Sequence, residues 1–187
     1  MGTDRPQPHE GCIQTYSWSP QGSPGFCRGS RHAYGIAGSD LATKSARVIH
    51  AFRFSIETAM RAGEIVGLSW DDVDTAKRIA HLPLTKNGTS RSVPLSNVAL
   101  ALLEELQGRE DSCFRLNSQQ LDVLFRKTRD RTDIENLRFH DSRHEAITRL
   151  AEKLDVLSLA RMVGHRDIRM LQIYYNETAE ELALRLD

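Results

Sequence analysis

From Leu41 onward, apolar residues recur mostly at helical spacing. Val48, Ile49, Phe52 and Ile56 fall on one face and predict a helix through Val48–Met60. A second short helix is expected over Ala62–Leu68, closed by the turn-forming run Trp70-Asp71-Asp72-Val73-Asp74. The pattern then becomes strand-like in Arg78–Thr85 and again in Ser90–Leu95, with Lys86-Asn87-Gly88-Thr89 between them. Asn-Gly between two short runs signals a hairpin, because both residues tolerate positive φ. Pro83 and Pro94 lack a ladder donor and place these strands at the edges of a small sheet.

Helical patterning resumes at Ser96, a good N-cap for a helix carrying Val98, Leu102, Leu103 and Leu106, with Gly108 as its stop. Ser118 is read as the cap of the next helix, which carries Leu121, Val123, Leu124 and Phe125. A helix over Asp141–Lys153 follows, then short helices at about 155–163, 167–175 and 178–186. The last opens on Thr178 with Glu181 three residues later, a capping-box pattern. No internal repeat is visible. The expected class is mainly α with a small antiparallel β-sheet (α+β).

Residues 1–40 have a different character. Gly, Pro and Ser crowd Ser17–Ser30, and the apolar residues there keep no period. Such a stretch buries too little surface to offset its ordering entropy, so a disordered leader or remnant is expected there and a folded domain over 41–187. A chain of 187 residues with 40% hydrophobic content suffices for one ordinary core. With neither a bilayer-length apolar run nor a signal-peptide pattern, a soluble cytoplasmic protein is expected, with no membrane partner. The three cysteines, Cys12, Cys27 and Cys113, form no CxxC pair and suggest neither a disulfide framework nor a zinc site.

Arg138–Asn176 concentrates the candidate chemistry. It holds His140, Arg143, His165 and the pair Tyr174-Tyr175, which make poor core material. They suit attack of a tyrosine hydroxyl on a phosphodiester, in which positive groups neutralise the non-bridging oxygens. Arginine fits that task because its planar fork binds two oxygens and keeps its charge. Arg143 follows His140 by three residues, so both project to one side of a helix start, where the dipole also favours an anion. Arg61 is the second arginine candidate. A phenol titrates near pH 10, so attack needs neighbouring cations or a base, and His140 is placed to take the proton. Lys86, at the hairpin tip, can reach a scissile phosphate and protonate the departing 5′-oxygen.

Net charge runs against a strong nucleic-acid binder, since Lys+Arg 25 balances Asp+Glu 25. Glu104, Glu105, Glu180 and Glu181 fall on outer helices, whereas Arg126-Lys127-Thr128-Arg129-Asp130-Arg131 offers a basic face to a duplex. Weak duplex binding by this domain alone is expected, through phosphate contacts and with a steep salt dependence.

From about Leu41 to the end, the chain resembles the catalytic domain of tyrosine recombinases, the phage integrases. Met60-Arg61-Ala62-Gly63-Glu64-Ile65 looks like that family's first arginine box, and Thr85-Lys86-Asn87-Gly88 with Arg91-Ser92-Val93-Pro94-Leu95 like its lysine hairpin. His140-Asp141-Ser142-Arg143-His144 is similar to its His-x-x-Arg box, and Val163-Gly164-His165 to its Gly-His box. Gln172-Ile173-Tyr174 fits the nucleophile segment.

The resemblance implies that Arg61, Arg143 and His165 stabilise the phosphate and His140 assists proton transfer. Lys86 would be the general acid, and Tyr174 the nucleophile of a 3′-phosphotyrosine intermediate. Spacing from His165 selects Tyr174 over Tyr175, which is read as a neighbour for packing or DNA. Glu64 is read as a buttress and His144 as structural. No cofactor, metal or ATP is implied. The implied partner is double-stranded DNA, with self-association on it, in a bacterial or phage-encoded, nucleoid-associated protein of a mobile element. Family members usually carry an N-terminal clamp domain that residues 1–40 do not resemble, so a truncated form is expected. The alternatives are a non-catalytic DNA-binding remnant, a type IB topoisomerase-like enzyme, and a zinc hydrolase using His140 and His144 beside Glu145.

Overall fold

The computed structural model describes residues 40–83, 90–106, 111–132, 134, 136–175, 177–184 and 186. Lys86, the Asn87-Gly88 turn, Gly108 and residues 1–39 lie outside them. The elements in chain order are helices α1 (Lys44–Thr58) and α2 (Ala62–Val66), a 3₁₀ turn (Trp70–Asp72), strands β1 (Val73–Asp74), β2 (Ile79–Leu82) and β3 (Arg91–Pro94), and helices α3 (Asn97–Glu104) and α4 (Ser118–Arg129). Helices α5 (Asp141–Ala151) and α6 (Val156–Val163), a 3₁₀ helix (Ile168–Tyr174) and α7 (Ala179–Ala183) complete the described chain. The expected class, mainly helical with a small antiparallel sheet, is what forms.

Helix α1 is the axis of the domain. Thr43 caps its start by accepting from the Ala46 amide. Val48, Ile49, Phe52, Phe54 and Ile56 are buried along it, and α3, α4 and α5 pack around it. Phe52 stacks at 4.9 Å on Phe125 of α4, and Phe139 meets both rings edge-on at 5.7 and 5.5 Å. A smaller apolar cluster of Ala59, Ala146, Ile147, Leu159, Ala160, Val163 and Leu171 joins the end of α1 to α5, α6 and the 3₁₀ helix.

Polar bonds lock the helices where the apolar surface alone would let them slide. His50 is fully buried on α1, and its Nε2 lies 2.6 Å from the Leu102 carbonyl. A carbonyl only accepts, so Nε2 carries the proton and serves one of the last carbonyls of α3. Nδ1 is then the bare nitrogen, 3.8 Å from Glu105. Burial pushes the His50 pKa below its usual value, against the Leu102 bond and the Glu105 charge. An unfolded chain therefore takes up this proton more readily than the folded one. The His50 contribution to stability is present above the ordinary histidine range and is lost as pH falls through about 6.5. Thermal melts at pH 7.5 and 5.5 are expected to show this loss. A His50→Leu chain should be less stable at pH 7.5 by about 1–3 kcal/mol, having orphaned the carbonyl, and should lose less on acidification.

The sheet is three-stranded and antiparallel, in the order β1-β2-β3. His81 pairs with Ser92 and Leu82 with Arg91, the hairpin pairing that the Asn-Gly signal predicts. Two details differ from the sequence expectation. Val73-Asp74, read as part of a turn, adds a short strand, and this makes β2 central rather than an edge. Pro83 is accommodated because it falls just beyond β2, while Pro94 ends the edge strand β3.

Capping follows the sequence closely. Ser96 accepts from the Ala99 amide, and Thr178 and Glu181 form the capping box. Ser118, however, is the first helical residue of α4. Asn117 is its cap, with Gln120 reaching back, because the asparagine side chain serves the Gln120 amide at 2.8 Å. In the basic run at the end of α4, Arg126 pairs with Asp122 and Arg129 with Asp130, which offsets part of its charge locally.

Candidate active site

The site is assembled where α1 ends. Ala59 adopts a left-handed backbone (φ 54°, ψ 21°) and closes α1 by donating its amide to the Ser55 carbonyl. That conformation costs a non-glycine residue about 1–2 kcal/mol. It turns the chain so that Arg61 caps the start of α2. The Ala59 carbonyl accepts from Nη1 of Arg143, and the Val163 carbonyl accepts from Nη2 at 2.7 Å. Arg143 is only 3% exposed. Burial brings its pKa down to about 10, with the Arg61 charge adding to the effect, and it stays cationic at neutral pH. Two main-chain oxygens thus fix the plane of a buried cation that has no carboxylate bonded to it among the described residues.

Arg61 sits on the same wall. Its Nη2 reaches the Gly164 carbonyl at 3.4 Å, and its Nη1 meets Glu64 at 3.0 Å. The Glu64 carboxylate also accepts from the Arg61 amide at 2.8 Å. Arg91 of β3 grips both Glu64 oxygens at 2.8 and 2.7 Å and donates its Nε to the Met162 carbonyl at 3.0 Å. Burial pushes the Glu64 pKa up, but the Arg91 and Arg61 bonds outweigh it and hold the carboxylate below its usual range. Glu64 is thus the shared base of a clamp joining α2, the sheet and α6.

Gly164 has φ +69° at the end of α6, and a Cβ there would lie 3.1 Å from Arg91 Nη1. Both the backbone and the close approach require glycine. The turn places the half-buried His165 beside the arginines, with Nδ1 buried and lacking a hydrogen-bond partner among the described residues. Burial lowers its pKa, and the charges of Arg143, Arg61 and Arg91 lower it further, so the ring is neutral at pH 7.

His140 forms the entrance of α5. Partial desolvation of its ring depresses its pKa, helped by His144 and Arg143. The His140 and His144 rings meet edge to face with centroids 5.0 Å apart. Tyr174 arrives on the 3₁₀ helix, whose one buried residue is Leu171. Burial raises the Tyr174 pKa and Arg143 opposes the rise, so the phenol keeps its proton at neutral pH. Its hydroxyl lies 2.7 Å from Nδ1 of His144. Tyr175 instead donates its hydroxyl to the Leu154 carbonyl at 2.7 Å, as a packing residue does.

Of the residues selected from the sequence, Arg61, Arg143, His165 and Tyr174 come together, and His140 lies beside them against His144. Lys86 is outside the described residues. Sequence reasoning passed over two residues. Arg91 was quoted in a motif but given no role, and its partner Glu64 is 27 positions away, beyond any local pattern. His144, four residues from His140 and on the same helix face, meets the Tyr174 hydroxyl, a contact that no sequence spacing announces. The zinc alternative has no group of three or more His, Cys, Asp or Glu able to hold a metal among the described residues.

Residues 36–181 match the sequence model of the phage integrase family. The chain belongs to that family. A putative integrase/recombinase of Haemophilus influenzae is 50% identical over 151 residues, which cover 79% of this chain and 50% of the relative. A shufflon-specific DNA recombinase of Escherichia coli is 41% identical over 139 residues, covering 73% of this chain and 36% of the relative. The chain thus spans half or less of the length of these integrase relatives. In fold it is similar to a XerA recombinase (TM-score 0.61, 17% identity, 84% of this chain and 60% of that one). It is likewise similar to a lambda integrase dimer bound to a COC′ core site (TM-score 0.63, 17% identity, 82% and 59%). Among the described residues, no helix is long and apolar enough to cross a membrane.

Proposed function

We propose that this chain is the catalytic module of a site-specific DNA recombinase that cuts and rejoins strands through a 3′-phosphotyrosine. The carrying observation is the convergence of Arg61 and Arg143 on the Val163–Gly164 carbonyls, with the Tyr174 hydroxyl within the electrostatic reach of Arg143. In this reading Arg61, Arg143 and His165 hold the non-bridging oxygens of the scissile phosphate. Tyr174 Oη gives its proton to a neighbouring imidazole, the role read for His140, as it attacks phosphorus; the bond to the 5′-oxygen breaks, and Lys86 protonates that oxygen. The ester conserves the bond energy, so a 5′-hydroxyl can reverse the step.

The partner is double-stranded DNA, on which copies of the chain associate in a cytoplasmic, nucleoid-bound protein. The DNA partner and the association draw support from a relative named as a shufflon-specific DNA recombinase and from lambda integrase, similar in fold, which forms a tetramer bound to a Holliday junction. The test is covalent trapping. Nicked duplexes carrying a randomised cleavage segment are incubated with the chain, and adducts are separated under denaturing conditions. A DNA-linked peptide containing Tyr174 is the expected result. Duplex binding with no adduct on any member of the library would favour a DNA-binding remnant.

A further inference from the structure

A pair of buried hydroxyls joins the two arginine segments. Ser55 of α1 and Ser142 of α5 are both fully buried, and their hydroxyl oxygens lie 2.7 Å apart across 87 positions of sequence. Ser142 Oγ is also 2.5 Å from the Phe139 carbonyl, and Ser55 Oγ is 3.2 Å from the Met60 carbonyl. Carbonyls only accept, so two hydroxyl hydrogens serve three contacts. Either Ser142 donates to Phe139 and Ser55 donates to Ser142, or Ser142 donates to Ser55 and Ser55 donates to Met60. With both hydrogens on carbonyls, two bare oxygens would face each other at 2.7 Å and their lone pairs would repel. The bond between α1 and α5 is therefore made in both arrangements that remain.

We propose that Ser55 and Ser142 are positioning residues. Their hydroxyl pair sets the register of α5 against the corner between α1 and α2, and with it the spacing of Arg143 and Arg61 around one phosphate. This rests on the strand-cleavage reading, in which both guanidinium groups hold the same phosphodiester. The serines are shut off from solvent and act only through the arginines.

The connections on either side of the pair favour this assignment. Ser142 immediately precedes Arg143, whose Nη1 donates to the Ala59 carbonyl, so adjacent residues of α5 hold the corner at two points. On the α1 side, Ser55 spans the left-handed bend at Ala59. Its carbonyl accepts from the Ala59 amide at 2.9 Å, and its hydroxyl faces the Met60 carbonyl. The Met60 amide donates to Thr58 Oγ1 at 3.3 Å, and the Arg61 amide to Glu64 at 2.8 Å. Every main-chain polar group from Ala59 to the Arg61 amide thus has a partner within reach. The peptide that aims Arg61 is held by the same hydroxyl that meets α5. Two apolar side chains in these places could slide past one another, because dispersion has little direction. A hydrogen bond fixes distance and angle, and a satisfied buried pair specifies one packing.

Kinetics and NMR test the proposal. On the randomised nicked duplexes at saturating protein, Ser55→Ala and Ser142→Ala should each slow adduct formation by about 10-fold, with unchanged affinity for the duplex. The double variant should also lose about 10-fold, rather than the ~100-fold of independent sites, because either deletion already breaks the one bond. His50→Leu is the control for lost stability, since it weakens the contact of α1 with α3 and bonds neither arginine. It should cleave at the wild-type rate below its melting temperature. In the free chain, the Nε–H resonances of Arg61 and Arg143 should move in both serine variants and stay in place in His50→Leu. Wild-type rates in the serine variants overturn the proposal and leave strand cleavage standing. So do an equal slowing in His50→Leu, a multiplicative loss in the double variant, or unmoved arginine resonances. A wild-type chain that forms no adduct sinks strand cleavage itself, and the role of the serines with it.

Discussion

Replacing Tyr174 with phenylalanine is expected to abolish covalent capture of nicked DNA, a loss on the order of 10⁶-fold if it matches removal of other enzyme nucleophiles. Tyr175→Phe should retain capture. The two hydroxyls are neighbours in sequence but have different partners. That of Tyr174 faces His144 and feels the Arg143 charge, whereas that of Tyr175 is tied to the Leu154 carbonyl behind α5. Losing the Tyr175 hydroxyl removes one neutral hydrogen bond, worth about 1 kcal/mol of stability. The adduct yield of the two variants, read beside their melting temperatures, separates the roles. Capture lost in Tyr175→Phe but retained in Tyr174→Phe would reverse the assignment.

Glu64→Ala should be the most destabilising single change near the site. Glu64 and Arg91 are each only 9% exposed and form a two-pronged pair, with Arg61 on the same carboxylate. Removing the acid leaves Arg91 buried without its counter-charge and Arg61 without its brace. Breaking a buried pair from one side costs about 3–5 kcal/mol, which corresponds to a melting point lower by about 10 °C in a chain of this size. Adduct formation should fall with it, because Arg61 loses the bond that aims it. The double variant Glu64→Ala, Arg91→Met should recover much of the stability, since it removes the stranded charge, but not the activity. Recovery of both would show that the clamp serves the fold alone.

The sequence carried much of this because the signals were local. Helical spacing found α1, a serine found the start of α3, and Asn-Gly between strand-like runs found the pairing of β2 with β3. Asn117 displaced Ser118 as a cap because both residue types can serve and only geometry selects between them. Val73-Asp74 became a strand because β2 offered it a free edge, a tertiary effect invisible in a two-residue segment. The site was legible where its residues sit in compact boxes, as His140 and Arg143 do. It was opaque where two side chains meet across the fold. Neither the grip of Arg91 on Glu64 nor the bond from Tyr174 to His144 has a sequence spacing that suggests it.

The attachment of Arg143 to the Ala59 and Val163 carbonyls has a consequence for how the protein acquires its chemistry. These oxygens belong to segments 104 positions apart and face one guanidinium only after both have docked against α5. The anchored cation therefore exists only when both segments are packed, and loosening either one releases Arg143 from one of its two carbonyls.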